Sequence, residues 1–259
     1  MKGEVHLDTV ADPAAGSYYI ENLTNSICEE SWNLFRQVEA RGGFVEAFYE
    51  GFIQDAIVTT AMHRDQNIAH RREVLLGTNQ YPDTAEQMLG KADPEVMAPH
   101  IADTDEAEAQ PLNMYRAAEG FENLRMETEK SGKQPVVFLL TIGSPTMRKA
   151  RAGFASNFFG CAGYQVIDNP GFNTISGGIE SAIASAADVV VLCSSDEEYA
   201  VYGPELAGMV NGTFIPVIAG YPKEIVEDLK SKGIVHFIHI RSNVLQTLQM
   251  FNKLIINKK

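Results

Sequence analysis

The chain has 259 residues, of which 45% are hydrophobic, and its 21 Lys and Arg against 34 Asp and Glu give a formal net charge of -13. This composition indicates a folded globular protein of one or two domains, and the acidic balance argues against sequence-independent nucleic-acid binding. No apolar run approaches the roughly 20 residues of a membrane helix, and the N-terminus lacks the apolar core of a signal peptide. The three cysteines, Cys28, Cys161 and Cys193, are too widely spaced to indicate a disulfide framework, so we expect a cytoplasmic chain with no membrane partner.

The N-terminal half is predicted to be mostly helical. A helix is expected from Leu23, with Ser26 and Glu29 as a capping box and Gly42-Gly43 as its stop. The remaining predicted elements are a helical stretch from Phe44 to about Glu73 interrupted by Gly51, a short strand and turn in VLLGTNQYPD (74–83), an acidic connector (83–112, with Asp103, Asp105, Glu106 and Glu108) and a helix at about 112–130.

The C-terminal half alternates apolar strands with helices. Strands are predicted at 136–143, 164–167, 189–194, 215–220 and 235–240, and helices at 148–160, 177–187, 199–210, 223–232 and near the C-terminus, ending close to Asn257. Continuous apolar strands joined by helices are typical of a parallel sheet covered on both faces. The pattern therefore predicts a flavodoxin-like, doubly wound α/β domain with a five-stranded parallel sheet.

The charge changes sharply between the two halves. Residues 1–130 carry 10 Lys and Arg against 24 Asp and Glu, whereas residues 131–259 carry 11 against 10. Such a shift in composition indicates a boundary, so we interpret 1–130 and 131–259 as two domains.

A ligand site is expected at the carboxyl ends of the predicted strands, where doubly wound sheets bind their ligands. The candidate residues lie directly after the first, third and fourth strands. They are Ser144, Thr146, Ser194, Ser195 and Gly220. The first loop, GSPTMRKARAG, has neither GxGxxG nor GxxxxGK[ST], which argues against a Rossmann or Walker nucleotide site. Its hydroxyls and a helix N-terminus could hold an anion, but capping of the helix by Ser144 or Thr146 is the simpler interpretation.

Neither a catalytic set nor a metal site is predicted. Neighbouring residues supply no Ser-His-Asp or Cys-His arrangement, and Asp196-Glu197-Glu198 is interpreted as a solvated helix start rather than a general acid or base. His236 and His239 are three residues apart on a strand and should point to opposite faces, one into the core and one to the surface. We therefore expect no catalytic residue and no metal ligand in this chain.

Two motifs in the N-terminal half carry a family resemblance. ADPAAGSYYIENLT (11–24) resembles the DPAxGSYYxExLT stretch of methylmalonyl-CoA mutases and related acyl-CoA mutases, and IAHRREVLLGTNQYP (68–82) resembles their RRxxxxGxNxY region. The C-terminal half is similar to the cobalamin-binding domain of the family. The resemblance implies that residues 1–130 form the helical C-terminal part of the mutase TIM-barrel domain plus an acidic linker, with most of that barrel upstream.

The loops of the cobalamin-binding domain depart from the family pattern. Where the family has Asp-x-His-x-x-Gly, with the histidine as lower cobalt ligand, this chain has Ser144–Lys149, in which Met147 is interpreted as a packing residue. The family's Ser-x-Leu falls on Ser194–Asp196, and its Gly-Gly falls on Ala219-Gly220. Together these changes resemble the non-catalytic small subunits of heterodimeric members.

That resemblance implies a division of roles between two chains. Adenosylcobalamin is expected on a large catalytic partner subunit, an acyl-CoA is the substrate of the holoenzyme, and the candidate residues of this chain form a degenerate pocket. Three alternatives stay open: a module that still holds a corrinoid, a fragment of a catalytic single-chain mutase, and a regulatory domain that binds another ligand at Ser144, Asn169 and Ser194.

Overall fold

The computed structural model describes residues 2–93, 95, 109–210 and 212–256. The chain packs as two compact units. One comprises the described residues of Met1–Thr60 and Ile101–Asn113, and the other comprises those of Ala61–His100 and Met114–Lys259. The interpretation of 1–130 and 131–259 as two domains stays a prediction.

The first unit contains helices α1 (Tyr18–Glu39) and α2 (Phe44–Tyr49) and the first half of α3 (Phe52–Ala69). Gly42 and Gly43, both with positive φ, follow α1, and Gly51 with φ +83° separates α2 from α3. These glycines adopt a left-handed backbone conformation that ends a helix, so the predicted stop and interruption are confirmed.

The predicted start of the first helix is wrong. The helix begins at Tyr18, and the N-cap is Ser17 in extended conformation, directly after Gly16 with φ +81°. Ser26 and Glu29 lie inside α1, where they cannot form a capping box, because the amides of the helix interior already bond to carbonyls one turn back.

The second unit is built on a sheet of five parallel strands in the order β2-β1-β3-β4-β5. The strands are β1 (Val136–Thr141), β2 (Gln165–Ile167), β3 (Val189–Cys193), β4 (Ile215–Ala219) and β5 (His236–Ile238). The helices are α4 (Glu119–Lys130), α5 (Pro145–Gly160), α6 (Ile175–Ala184), α7 (Tyr199–Met209), α8 (Val226–Ser231) and α9 (Val244–Ile256). The predicted doubly wound, flavodoxin-like fold is confirmed.

Each face of the sheet has its own apolar core. Val137 and Leu139 of β1 pack on one face with residues of α4, α5 and α9. Phe138 and Leu140 pack on the other face with residues of α6, α7 and α8. Alternate residues of one strand therefore serve both cores, which is why the strands are apolar along their whole length.

Two predicted elements before the sheet differ in the structure. Residues 74–83 form a turn with one isolated bridge, Leu76 to Gln80, because the buried Asn79 side chain bonds to Ile68, Glu73 and Leu75 backbone atoms and bends the chain around itself. The helix predicted from 112 begins at Glu119. The acidic positions Asp103, Asp105, Glu106 and Glu108 of the predicted connector lie outside the described residues.

Within the described ranges no helix is both long enough and apolar enough to cross a membrane. The three cysteines are free thiols, with Cys28 exposed and Cys161 and Cys193 buried. The described residues also contain no group of three His, Cys, Asp or Glu side chains that could hold a metal ion.

Candidate functional site

The ends of β1, β3 and β4 bring the predicted site loops together. Thr141, the last residue of β1, pairs with Cys193, the last residue of β3, and Leu192 of β3 pairs with Ile218 of β4. The loops that follow these strands therefore meet at one edge of the sheet, where this fold class binds ligands. We call this the ligand edge, defined by residues 142–146, 194–198 and 219–221.

The carboxylate of Glu198 lies between the first two of these loops. The backbone N–H of Ser144 donates to it at 3.0 Å, the N–H of Ser195 at 3.2 Å, and the Ser194 hydroxyl at 2.6 Å. The hydrogen bond from Ser194, followed by those from the amides, lowers the pKa of Glu198 from its ordinary value. The ionised carboxylate of Glu198 thus accepts hydrogen bonds from three donors of this edge.

Gly143 makes room for that carboxylate. It has φ +78°, and a Cβ at this position would collide with the Glu198 carboxyl group. The positive φ favours glycine here, and a side chain at this position would push the carboxylate out of its place.

Tyr199 fills the space between the ends of β3 and β4. The buried phenol donates to the Ala219 carbonyl at 2.7 Å and accepts the N–H of Ser194 at 3.2 Å, and burial raises its pKa. A Cβ on Gly220 would lie 2.9 Å from the Tyr199 ring, so the ring packs directly on the glycine backbone. The backbone of Gly220 is therefore covered by a side chain of this protein.

An ion pair lies beside Gly220 on the same edge. The Arg151 guanidinium of α5 bonds to the Asp196 carboxylate at 2.8 Å, and Asp196 Oδ1 and Arg151 Cζ both lie within 4 Å of the Cβ that Gly220 lacks. Asp196 is half exposed, so this ion pair contributes little to stability. Its main effect is to cover the space beside Gly220.

The polar groups beside β1 and β2 also bond within the protein. The Asn169 side chain contacts the Thr141 hydroxyl and donates to the Leu139 carbonyl, while Arg148 donates to the Pro170 carbonyl at 2.9 Å. A cleft of about 310 Å³ lies next to them, lined in part by Lys149 and Asp168.

The structure corrects several predicted side-chain roles. Ser144 is the N-cap residue of α5, but its side chain makes no capping hydrogen bond. Its backbone N–H instead bonds to Glu198. Thr146 is exposed and does not cap the helix, so capping by either hydroxyl is wrong. Met147 is 36% exposed on the first turn of α5, so it lies outside the buried core, and its interpretation as a packing residue stays a prediction.

Two further expectations also need correction. His236 and His239 are both half-buried, His236 against Phe251 and His239 against Tyr221, because His239 lies beyond the end of β5 and is not held to strand alternation. The predicted helix start at Asp196-Glu197-Glu198 is present, with Asp196 and Glu197 exposed and Glu198 as the residue before α7, but the Glu198 carboxylate is half-buried and turns back onto the two loops.

The residues that shape the edge most, Glu198, Tyr199 and Arg151, were not selected from the sequence as site residues. The signal for Glu198 was Ser195-x-x-Glu198 directly before a helix, which is the capping-box pattern and which the structure forms. Arg151 carried no signal, because its partner Asp196 lies 45 residues further along the chain.

The residues at this edge do not fit a corrinoid held through a protein nitrogen. Loop Ser144–Lys149 offers no imidazole. The Ser194 hydroxyl and the backbone N–H groups of Ser144, Ser194 and Ser195 already bond to Glu198 or Tyr199. The glycine backbone at 220 is covered by the Tyr199 ring.

Comparison with known proteins places these features in a family. Residues 1–130 match the family model for methylmalonyl-CoA mutase. The chain is 50% identical over 252 residues to the methylmalonyl-CoA mutase small subunit of Porphyromonas gingivalis, an alignment that covers 97% of this chain and 40% of the relative. It is 33% identical over 256 residues to the probable methylmalonyl-CoA mutase small subunit of Mycobacterium bovis, covering 95% of this chain and 38% of the relative.

A third relative is named without a subunit. The methylmalonyl-CoA mutase of Rhizobium meliloti is 38% identical over 89 residues, which is 34% of this chain and 12% of the relative. The chain spans about two fifths of the length of the small-subunit relatives above. The family resemblance of its two N-terminal motifs is confirmed, and the chain belongs to the methylmalonyl-CoA mutase family.

Proposed function

We propose that this chain is the C-terminal part of the non-catalytic small subunit of an adenosylcobalamin-dependent methylmalonyl-CoA mutase. In the assembled enzyme, which interconverts methylmalonyl-CoA and succinyl-CoA, the adenosylcobalamin belongs to a large catalytic partner subunit. This chain has a structural role and helps to hold the assembly together. We place this heterodimer in the cytoplasm.

The observation that carries this proposal is the closed ligand edge. Glu198 takes the polar donors between β1 and β3, Tyr199 fills the space between β3 and β4, and the Arg151–Asp196 pair lies beside Gly220. A fold that binds ligands at this edge is thus kept while the edge itself is filled with side chains of the same chain. Such a domain suits a scaffold better than a cofactor carrier.

The names of the relatives point the same way. Two relatives that align with at least 95% of this chain are named small subunits of methylmalonyl-CoA mutase. A subunit named small implies a second, larger subunit, and we assign the cofactor and the radical chemistry to that partner. When bound, the cofactor supplies the rearrangement chemistry, and the protein supplies binding and exclusion of water.

The apolar surface of α1 supports a role in assembly. None of its residues is buried, and its exposed large apolar side chains include Leu23, Ile27, Trp32 and Phe35. Exposed apolar patches of this kind mark surfaces that pack against other protein.

The proposal is tested by co-expressing the full-length small subunit, with this chain as its C-terminal part, and a family large subunit that retains Asp-x-His-x-x-Gly. The two chains should co-purify at equal stoichiometry with mutase activity, and replacing the large subunit's loop histidine should abolish cobalamin retention. Failure of the chains to co-purify would overturn the heterodimer.

A second test uses this chain alone. Hydroxocobalamin is added, the protein is separated by gel filtration, and the visible spectrum of the protein peak is recorded. We expect no corrinoid in that peak. A co-eluting corrinoid with an unchanged base-on spectrum would instead support a corrinoid-binding module, and a base-off spectrum with protein nitrogen ligation would place this chain in the chemistry itself.

A further inference from the structure

We propose that Glu198 is the residue that closes the ligand edge, by acting as an internal anion in a cradle that would otherwise accept an external carboxylate or phosphate group. The inference rests on the proposed function, in which this edge holds no cofactor, and it names the side chain responsible. Glu198 is thus a specificity-determining residue, since it decides what the edge excludes.

The cradle is formed by donors from two separate loops. Ser144 follows β1 and contributes its N–H at 3.0 Å, while Ser194 and Ser195 follow β3 and contribute a hydroxyl at 2.6 Å and an N–H at 3.2 Å. Three converging donors match the hydrogen-bonding needs of an oxyanion, and charge-assisted bonds of this kind are stronger than neutral ones. The carboxylate of Glu198 therefore occupies the position that a ligand anion would take.

The first loop is shaped to accept this carboxylate. A side chain at Gly143 would collide with the Glu198 carboxyl group, and the positive φ of Gly143 turns the N–H of Ser144 toward it. The Glu198 backbone in turn donates its N–H to the Ser195 hydroxyl oxygen at 3.3 Å. The two bonds with Ser195 are the reciprocal pair of a capping box at the start of α7, whereas the bonds from Ser144 and Ser194 join the carboxylate to groups outside that motif.

The neighbouring cations do not hold Glu198 in place. Arg151 pairs with Asp196, and Arg148 donates to the carbonyls of Gly143 and Pro170. An arriving anion would therefore have to expel a carboxylate that is bonded on the protein, and within the described ranges no cation pairs with Glu198 to offset the like charge.

The test removes the carboxylate and supplies one from solution. In Glu198→Ala the melting temperature of this 259-residue chain should fall by about 4 °C, because the amides of Ser144 and Ser195 lose their acceptor, whereas the Ser194 hydroxyl keeps the Ile142 carbonyl. Sodium formate should then restore most of this loss in a saturable manner, whereas sodium chloride at the same ionic strength should not.

The matched control is Glu205→Ala, which removes the same charge from an exposed position on α7. In wild-type protein and in this control, sodium formate and sodium chloride should change the melting temperature by the same amount. If Glu198→Ala also responds equally to the two salts, the cradle does not bind an anion and the inference is wrong. A selective effect of formate on wild-type protein would equally overturn it, since the edge would then be open.

A measurement on wild-type protein covers the case in which Glu198→Ala does not fold. The amide proton signals of Ser144 and Ser195 are followed by NMR from pH 7 to pH 3, and both should shift together with one midpoint, because both amides bond to the same carboxylate. Glu198→Gln, which keeps the volume but presents an N–H₂ group, should remove that shared transition. Independent midpoints in wild-type protein would contradict the inference while leaving the outcome of the cobalamin titration untouched.

Discussion

Helices α1 and α9 are both amphipathic, yet only one of them is covered. In α9, Val244, Leu248, Phe251 and Ile255 recur at helical spacing and are at most 5% exposed against the sheet. In α1, Leu23, Ile27 and Phe35 follow a similar period, but each is about half exposed. The comparison teaches that a helical period indicates which face of a helix is apolar, while burial depends on a second element that the local sequence does not contain.

The covered helix also carries a buried polar contact. The Asn252 side chain of α9 accepts a hydrogen bond from the Tyr164 hydroxyl at 2.6 Å and bonds to Thr128 of α4. Buried polar groups need such partners, so α9 is held at a defined position on the sheet. No residue of α1 is buried, and the described part of the chain shows no comparable contact for it.

The largest difference is expected from removing one aromatic side chain from each helix. Phe251→Ala should lower the free energy of unfolding by about 3–5 kcal/mol, because Phe251 is fully buried against Phe159 and His236. Trp32→Ala, at a side chain 62% exposed on α1, should change it by less than about 0.5 kcal/mol. Urea unfolding followed by far-UV circular dichroism measures both, and similar losses for the two variants would show that α1 is covered in solution.

A smaller effect is expected from adding a methyl group at two helical glycines. A Cβ at Gly178 of α6 would lie 2.7 Å from Leu140, so Gly178→Ala should cost about 1–3 kcal/mol of unfolding free energy. Gly153 of α5 has open space, and Gly153→Ala should instead stabilise the chain by up to about 1 kcal/mol through helix propensity. Opposite signs in thermal unfolding are the expected result, and equal signs would contradict the close packing of α6 on β1.

The hydrogen bond from Tyr164 to Asn252 of α9 should contribute less to the free energy of unfolding than the packing contacts above. Tyr164→Phe is expected to cost about 1 kcal/mol, since the buried Asn252 side chain loses one of its partners. Tyr115→Phe removes an exposed phenol that bonds to Asp65 and should cost less than about 0.5 kcal/mol. The urea midpoints of the two variants give the comparison if the dependence of the unfolding free energy on urea is unchanged. A larger loss of stability in Tyr115→Phe than in Tyr164→Phe would show that the Tyr164–Asn252 hydrogen bond does not hold α9.

The smallest expected effect is the pH dependence that His236 contributes beside α9. Burial lowers the pKa of His236, so the unfolded chain takes up a proton at a higher pH than the folded chain does. Stability from this group is therefore complete above the unfolded pKa of about 6.5 and falls as the pH drops below it. His236→Gln should flatten the change in urea midpoint between pH 7 and pH 5.5.

The control for this pH effect is His63→Gln, which removes an exposed histidine of α3. It should keep the pH response of wild-type protein. A urea midpoint that falls more between pH 7 and pH 5.5 in His236→Gln than in wild-type protein would contradict the sign of the effect.

Much of the fold could be predicted because its signals are local. The apolar runs 136–143 and 189–194 contain the buried strands β1 and β3, and the strand–helix alternation gave the parallel sheet. The errors came from contacts outside the local window. Asn79 bonds to Ile68, eleven residues earlier, and bends a segment that reads as a strand.

The position of the ligand edge could be predicted from the sequence, but not that side chains of the same chain fill it. Ser144, Ser194 and Gly220 do lie on the loops that meet there, because parallel strands bring their carboxyl ends to one edge. The bonds between Glu198 and Ser195 follow a local capping-box pattern, but the second loop that the Glu198 carboxylate reaches was not predictable. The contact of Glu198 with Ser144 spans 54 residues of chain.

The sequence by itself determined the family, the sheet and the absence of the Asp-x-His-x-x-Gly loop, because motifs and apolar periods are properties of short segments. Only the tertiary structure decided that Glu198, Tyr199 and the Arg151–Asp196 pair fill the edge that those loops form. The physical reason is that hydrogen bonds and close packing between distant segments depend on where the folded backbone places them.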